Sequence, residues 1–178
     1  MIFRALLLAA VAAMFISNSA WAGWGFDFED HPIHVEKQTW KNAIPNIHPG
    51  DEFAWMFRTR IREAAKAEPN FANHFVLASF GCGTECQVYF VVNTKTGEVI
   101  RGPVSGWGAE GMRASNLLVV NPIEEDYDGE IPDWLETEYY VFDGKEFHLV
   151  FSEKPPSSDE DITGSVGNVP LPTPRPAS

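Results

Sequence analysis

The sequence lacks several of the short motifs that identify common enzyme classes. It has no G-x-S-x-G nucleophile elbow, no H-E-x-x-H zinc motif and no phosphate-binding P-loop. Its only two cysteines, Cys82 and Cys86, are separated by three residues, whereas thioredoxin-like redox sites use C-x-x-C. Local motifs therefore assign no reaction to this chain.

Cationic residues are scarce. The 178 residues include 13 lysines and arginines against 25 aspartates and glutamates, which gives a formal net charge of −12. Nucleic acid and anionic membrane surfaces are disfavoured as partners, because lysine and arginine must neutralise the phosphates of both. Cationic partners or metal ions fit this charge better, and high solubility alone would also account for it.

The longest apolar run is too short to cross a bilayer as a helix, which needs roughly 20 residues. This run, Ala5–Ile16, follows Arg4 and precedes Ala20-Trp21-Ala22, an arrangement typical of a secretory signal peptide. We expect cleavage near Ala22, so that residues 1–22 are removed and the protein is periplasmic or secreted. No cysteine lies at the predicted cleavage site, which argues against a lipoprotein anchor.

Apolar periodicity is missing from the end of the chain. From Lys154 onward the sequence contains six prolines and the acidic run Asp159–Asp161. This composition is typical of a disordered tail, predicted here over residues 154–178. Residues 23–153 are then expected to form a single domain, since that length suffices for a sizeable core.

One segment, Asp51–Glu68, has the periodicity of an amphipathic helix. Asp51 is its predicted N-cap. The apolar residues recur at helical spacing and form one buried stripe: Phe53, Met56, Phe57, Ile61, Ala64 and Ala65. Arg58 and Arg62 lie four residues apart on one face of this helix. The pair is either a solvated basic face or an anion-binding site. The acidic loop after Asn121 is their candidate partner.

The remaining patterns predict short strands joined by hairpins. His74–Phe80 is almost entirely apolar, which predicts a strand buried on both faces. Its predicted partner is Cys86–Val92. The later strands are predicted at Glu98–Arg101, Ser115–Val120, Glu136–Phe142 and Glu146–Phe151. In the last of these, Phe147, Leu149 and Phe151 are expected to share one face.

These elements predict an α+β fold. Since most connections are short hairpins, we expect an antiparallel, mostly sequentially connected sheet of about six strands. One N-terminal helix is expected to pack on this sheet.

The turn between the first two predicted strands contains both cysteines. Gly81 and Gly83 bracket Cys82, where the chain is expected to turn sharply. Two cysteines in an exported chain predict one disulfide, between Cys82 and Cys86. The bridge would make a rigid hairpin tip of residues 81–86, in which Gly81, Gly83 and Thr84 are candidate contacts for a partner.

A cysteine nucleophile is the alternative interpretation of the same residues. Cys82 or Cys86 would act as the thiolate and His148 as its base, in a hydrolase or a redox enzyme. His74 lies too far away for this role, about 26 Å from Cys82 along an extended strand. A disulfide would remove the thiol, so the two interpretations exclude each other.

A glycine-rich loop is predicted at Gly102–Gly111. Residues 106–111 match G-x-G-x-x-G, but the dinucleotide-binding form of that motif needs a following helix, and Leu117–Val120 is predicted as a strand. Glu110 would also repel a phosphate. The loop is therefore expected to present Trp107, either in a ligand groove or as a cap on the core, and no cofactor is predicted.

Two sets of residues are candidate metal ligands. The first lies in the acidic loop and resembles half of a calcium-binding loop: Glu124, Asp126, Asp128 and Glu130. The twelfth position of an EF-hand would fall on Leu135, which leaves a weak irregular calcium site or a solvated acidic loop. The second set lies in the aperiodic segment before the helix: His31, His34 and His48. Pro32 and the lack of a neighbouring cysteine favour surface histidines there.

Four stretches resemble the motifs of a family of small exported bacterial proteins: Asn70–His74, Phe80–Gln87, Leu117–Pro122 and Tyr139–Gly144. That family has N-F-A-G-H and W-G-C-G-T-x-C-Q in the same order, and the similarity extends roughly from residue 50 to residue 150. Asn73 replaces the glycine of the first motif, so a left-handed backbone angle is expected there. Phe80 replaces the tryptophan of the second. The resemblance implies export and the architecture described above, without a particular activity.

Together these patterns predict an exported, non-catalytic binding module, of the kind that serves as an inhibitor or immunity protein. Its candidate contact residues are Gly81, Gly83, Thr84, Trp107, Arg58 and Arg62. The expected partner is an envelope protein or a small ligand. A cysteine-dependent enzyme and a weak metal-binding protein are the alternatives.

Overall fold

A computed structural model describes residues 26–124 and 127–154. The predicted signal peptide, Asp126 and the tail beyond Lys154 lie outside these ranges. The helical elements are a 3-10 turn at Phe28–Asp30 and the helices α1 (Glu52–Met56) and α2 (Arg58–Ala64). The strands are β1 (Phe75–Gly83), β2 (Cys86–Asn93), β3 (Val99–Ser105), β4 (Ala109–Gly111), β5 (Leu117–Val120), β6 (Thr137–Phe142) and β7 (Phe147–Glu153).

The strands form two antiparallel sheets. The first has the order β1-β2-β3 and the second the order β4-β5-β6-β7. The α+β class and the antiparallel, sequential pairing are confirmed, but the prediction of one sheet of about six strands is wrong. The chain leaves the first sheet at Ser105 and starts the second at Ala109, inside the segment predicted as a glycine-rich loop.

The predicted helix is divided at Phe57. Asp51 caps α1 as predicted, since its carboxylate accepts a hydrogen bond of 2.9 Å from the backbone N–H of Ala54. The ring of Phe57 stacks on Phe80 of β1 with centroids 3.7 Å apart. Because the helix breaks here, Met56 is 60 % exposed instead of belonging to the buried stripe. A long extended segment precedes α1, so the helices are not at the N-terminus of the described chain.

One core lies between the helices and the first sheet. Its buried residues are Ala54, Ile61, Ala65, Phe80, Val88, Phe90 and Val92. Phe53 joins them from α1 and packs against Phe80 and Phe90 at centroid distances of 5.7 and 6.5 Å. The even-numbered residues of β2 thus face the helices, as the period of a strand requires.

A second core lies between the two sheets. Its buried residues are Phe71, Ala72, Phe75, Val91, Leu118, Val120 and Phe142. β1 therefore packs on both faces as predicted, but only over its first half. The helices cover β1 as far as Phe80, but on the opposite face Ser79 is exposed, and Gly81–Gly83 at the end of the strand are exposed as well.

A bulge in β7 changes which of its side chains share a face, so the predicted face is wrong. Tyr139 pairs with Phe151 and Tyr140 with Leu149, which leaves Val150 as the extra residue. Phe147 consequently packs inward on Phe142 at 4.7 Å. Phe151 lies on the other face and stacks on Phe26 at 4.7 Å, so Phe147, Leu149 and Phe151 do not share one face.

The extended segment before α1 ties both sheets together. Ile33 donates a backbone hydrogen bond to Ala114, and Asn46 donates one to Gly97. Between them the Trp40 indole donates to the hydroxyl of Thr94 at 3.0 Å. We call residues 31–46 the strap.

No helix within residues 26–124 and 127–154 is long and apolar enough to span a membrane.

Candidate functional site

The predicted disulfide between Cys82 and Cys86 is confirmed. The Cα atoms of the two cysteines are 5.1 Å apart, and neither residue retains a free thiol. β1 and β2 pair as far as Gly83 and Cys86, so the bridge closes the end of the hairpin. Residues 81–85 are all exposed. We call residues 81–86 the cystine tip.

The structure does not bring His148 to either cysteine. His148 follows Phe147, which packs near Phe142, and Phe142 contacts Phe75 at the start of β1 with ring centroids 4.9 Å apart. Cys82 lies seven residues further along that strand, about 23 Å away at ~3.3 Å per residue. The cystine and the histidine are therefore at opposite ends of β1, without the contact that a nucleophile and base need.

The segment predicted as the loop Gly102–Gly111 contains a loop of only three residues, Gly106–Gly108. It is shaped around the side chain of Asn121. The amide oxygen of Asn121 accepts hydrogen bonds from the backbone N–H of Gly106 at 3.0 Å and of Trp107 at 2.9 Å. The amide nitrogen donates to the carbonyl of Glu136 at 3.0 Å. Trp107 is therefore presented by a fixed loop.

Two buried hydroxyl groups complete this network. Ser105 is buried, and its hydroxyl oxygen accepts a hydrogen bond of 3.1 Å from the backbone N–H of Trp107. The hydroxyl of Thr137 donates to the carbonyl of Asn121 at 2.9 Å. No pattern in the sequence predicted a role for the side chains of Asn121, Ser105 or Thr137. The Leu117–Pro122 motif was the one signal that pointed to this position.

Three aromatic side chains lie next to the loop, and we call them the aromatic face: Trp107, Tyr127 and Trp134. The ring of Trp107 meets that of Tyr127 edge to face with centroids 5.6 Å apart. Trp107 is 37 % exposed and Trp134 is 56 % exposed. Neither Tyr127 nor Trp134 had a predicted role, because Tyr127 lies in the predicted acidic loop and Trp134 lies between that loop and the next predicted strand.

Gly106 joins the aromatic face to the cystine tip. A Cβ atom on Gly106 would lie 2.9 Å from the ring of Trp134 and 3.4 Å from the carbonyl oxygen of Glu85. The missing side chain thus allows the loop, the Trp134 ring and the tip to meet at one place. The candidate residues Gly81, Gly83, Thr84 and Trp107 belong to this one end of the molecule.

The surroundings of the aromatic face are acidic. Every charged residue in 122–136 is an aspartate or glutamate, and Glu85 adds another carboxylate from the cystine tip. This field favours a cationic ligand over an anionic one.

Arg58 and Arg62 lie elsewhere. The guanidinium of Arg58 donates to the carbonyl of Trp55 at 2.9 Å and lies 5.0 Å from the centroid of the same indole ring. Within the described ranges neither arginine pairs with a carboxylate, so the predicted contact with the acidic loop is not seen there. Arg58 is the first residue of α2 and Arg62 lies one turn further along it, on the side of the first sheet that the helices cover.

The predicted metal ligands do not converge among the described residues. Glu124, Asp128 and Glu130 are exposed and form no common group, Asp126 lies outside the described ranges, and the three N-terminal histidines do not come together. One group in the described chain does converge, at the β6–β7 turn: Asp143, Glu146 and His148, whose ligand atoms lie within 4.8 Å of one another.

The group at the β6–β7 turn acts as an ion pair that stabilises the turn. The backbone N–H of Glu146 and the ring of His148 bond to Asp143 and lower the pKa of its carboxyl to about 2. The ring nitrogen of His148 lies 3.1 Å from the Asp143 carboxylate, and this hydrogen bond raises the pKa of the histidine. All three side chains are exposed.

The Asn70–His74 motif has a structural role. Asn73 has φ 70°, which confirms the predicted left-handed angle, and its side-chain oxygen accepts a hydrogen bond of 2.9 Å from the backbone N–H of Glu36 in the strap. Phe71 is fully buried between the sheets. The Asn70 amide bonds to both the N–H and the carbonyl of Leu77.

No protein-family model, curated protein or solved structure matches this chain. Its function is therefore inferred from the geometry of the site.

Proposed function

We propose that this protein is an exported binding module whose contact surface consists of the aromatic face and the cystine tip. One observation carries the proposal. Two exposed indole rings, Trp107 and Trp134, lie beside a disulfide-closed hairpin at one end of the molecule. Tryptophan is enriched among the residues that dominate binding energy, and exposed aromatic surface marks interaction sites.

The rigidity of this surface supports the proposal. Asn121 and Ser105 fix the backbone of the Trp107 loop through partly buried hydrogen bonds, and the disulfide fixes the tip. A surface that is ordered before binding loses little conformational entropy in the complex. A loop that only capped the core would have no need to keep these rings partly exposed.

The acidic surroundings favour a partner with cationic groups, either an envelope protein or a small ligand. An inhibitor or immunity role, export through the signal peptide, and membership of the exported family that the motifs resemble all belong to this proposal. A cysteine-dependent reaction finds no support, because both sulfur atoms are in the disulfide and His148 is at the other end of β1.

The proposal is tested by immobilising the mature protein and measuring what it retains from an envelope extract. The variants Trp107→Ala and Trp134→Ala should each weaken retention of a specific partner by about tenfold or more, equivalent to ~1.4 kcal/mol. Trp55→Ala is the matched control, since Trp55 is 43 % exposed but lies on α1. Equal retention by all three variants would contradict the proposal.

A further inference from the structure

β1 is an edge strand, and its outer backbone groups point away from β2. Leu77 donates its N–H to the Asn70 side chain at 2.7 Å and accepts from the same amide at 3.1 Å, so its peptide groups face outward. Peptide groups alternate in direction along a strand. By this alternation the N–H and C=O of Ser79 and Gly81 also face outward, up to the register shift that follows Gly81.

The other edge strands of the described sheets carry features that prevent pairing with another chain. β3 contains Pro103, Arg101 and a bulge, and β7 has a bulge near its middle. β4 is only three residues long and contains Glu110. Charge, proline, bulges and shortness are the usual protections of a sheet edge. β1 has no charged residue and no proline in its nine residues, and its one register shift lies between Gly81 and Gly83, after the stretch Ser79–Gly81.

The two ends of the β1 edge differ in how they are covered. The side-chain amide of Asn70 bonds to the outward N–H and C=O of Leu77, as a neighbouring strand would. The first half of the edge therefore already has a hydrogen-bond partner. From Ser79 to Gly81 the edge is open and exposed. A groove of about 460 Å³ runs between this stretch and β4, and Leu77, Tyr89 and Glu110 line it.

We propose that a basic, extended segment of a partner protein pairs with β1 at Ser79–Gly81 and places its side chains in this groove. Strand addition of this kind takes affinity from backbone hydrogen bonds and specificity from alternate side chains. Glu110 is the one charged side chain among the described residues that line the groove, and Glu85 lies beyond the strand end in the cystine tip. Lysine or arginine in the added segment would complement both.

Two other occupants are less compatible with these charges. A second copy pairing through β1 would bring a second Glu110 and a second net charge of −12 to the same place. The tail of this chain carries the acidic run Asp159–Asp161, and its four prolines between residues 170 and 176 cannot donate to a ladder. The inference shares Gly81 and Glu85 with the contact surface proposed above, but it rests on backbone groups of β1 and does not depend on the aromatic face.

The test uses capped peptides of alternating valine and lysine, with alternating valine and glutamate as the charge control. Hydrogen exchange of the Ser79 and Gly81 amides is measured by NMR in the mature protein. The lysine peptide should slow exchange of both amides by about tenfold or more, since an edge amide that gains a partner is protected. The glutamate peptide, and a lysine peptide with N-methylated alternate amides, should leave exchange unchanged.

Substitutions at Ser79 provide the matched pair. Ser79→Pro removes the edge N–H without breaking a bond to β2, and should abolish the protection of Gly81 by the lysine peptide. Ser79→Ala retains the N–H and should preserve the protection of Gly81 by the lysine peptide. If Ser79→Pro does not fold, the N-methylated peptide still tests the ladder.

Four results would overturn the inference: equal effects of the lysine and glutamate peptides, no protection by either, protection that rises with protein concentration alone, or protection that disappears when residues 155–178 are deleted. The last two would identify a second copy or the chain's own tail as the occupant. Trp107→Ala should leave the protection unchanged, so that this inference and the proposed function fail separately.

Discussion

Asn121 determines the conformation of the Trp107 loop through one amide side chain. Its oxygen accepts from two consecutive backbone N–H groups of the loop and from the hydroxyl of Ser105. Its φ of 53° is in the left-handed region, which asparagine and glycine tolerate better than other residues. The geometry of the proposed contact surface therefore depends on a residue that contributes none of its exposed area.

Replacing Asn121 by glycine should release the loop without straining the backbone. The N–H of Gly106 loses its acceptor, and that of Trp107 keeps only the hydroxyl oxygen of Ser105. Because both donors are partly buried, the cost should lie at the lower end of the about 1–3 kcal/mol of folding free energy that a buried unpaired donor costs. We expect a stability loss of that size in urea unfolding and faster hydrogen exchange at both amides. Asn46→Ala, which removes one exposed hydrogen bond of 3.3 Å, is the control. Unchanged exchange at Trp107 would contradict this role of Asn121.

The ion pair at the β6–β7 turn makes a pH-dependent contribution to stability. The pKa of Asp143 is lowered to about 2, so its contribution is present above its ordinary pKa of 3.8 and is lost as the pH falls toward 2. The pKa of His148 is raised, so its contribution is present below 6.5 and is lost as the pH rises through the raised value. The pair is therefore most stabilising in weakly acidic solution.

NMR titration of the His148 ring tests this ion pair. We expect the pKa of His148 to lie above 6.5 and to fall toward that value in Asp143→Asn, which keeps the acceptor oxygen of the turn but removes the charge. Glu146→Gln should lower the pKa less, because its carboxylate is 3.7 Å from the ring. A pKa that is the same in the wild type and in Asp143→Asn would show that the pair does not form.

Asn73 and Asn121 illustrate what a single residue reveals in a sequence. The left-handed angle of Asn73 was predictable, because asparagine stood where a motif has glycine and the reason is local to its own backbone. The role of Asn121 was not, because its partners Gly106 and Glu136 come from two other segments and meet only after both sheets have formed. The hairpin turn at Cys82–Cys86 was predictable for a similarly local reason, since its glycines and cysteines are adjacent in the sequence.

Long-range packing explains where the predicted elements differ from the observed ones. The periodicity of residues 51–68 gave no sign of a break, yet the helix is interrupted at Phe57, whose ring stacks on Phe80 of β1. Alternation along β7 predicted that Phe147 and Phe151 share one face of the strand. A bulge between their positions places Phe151 on the opposite face. β4 has three residues, too few for a recognisable strand pattern.

The β2–β3 hairpin anchors the strap through Gly97. Gly97 has φ 79°, and a Cβ atom there would collide with the carbonyl of Ile44 in the strap. Gly144 in the β6–β7 turn has φ 97° with open space around it. The two glycines thus separate the effect of backbone angle from the effect of the clash.

Alanine at these two positions should have unequal effects. Gly144→Ala should lower the free energy of unfolding by about 1 kcal/mol, the cost of a left-handed residue with a Cβ. Gly97→Ala should lower it by at least about twice as much, because the strap must also move away. Comparison of urea midpoints checks this, and faster exchange of the Asn46 amide should accompany Gly97→Ala alone. Equal losses would mean that the strap is not held at Gly97.

The two sheets are joined by a shared core and by few connections in the chain. Phe71 precedes β1, yet its ring lies between the sheets, 5.8 Å from that of Phe142 and 6.0 Å from that of Phe147. A Cβ atom on Gly111 of β4 would be 2.8 Å from the same ring. The motif that contains Phe71 therefore fixes how the first sheet sits on the second, and with it the relation of the cystine tip to the aromatic face.

Truncation of Phe71 should therefore destabilise both sheets together. Phe71→Ala leaves a cavity in a fully buried position, which typically lowers the free energy of unfolding by about 3–5 kcal/mol. If the sheets unfold as one unit, hydrogen exchange should accelerate by the same factor at Val91 of β2 and Leu118 of β5, because both amides then report global unfolding. Leu149→Ala, at an exposed position of β7, should change neither. Acceleration in one sheet only would mean that the sheets are separate cooperative units, and the contact surface would then depend on their docking equilibrium.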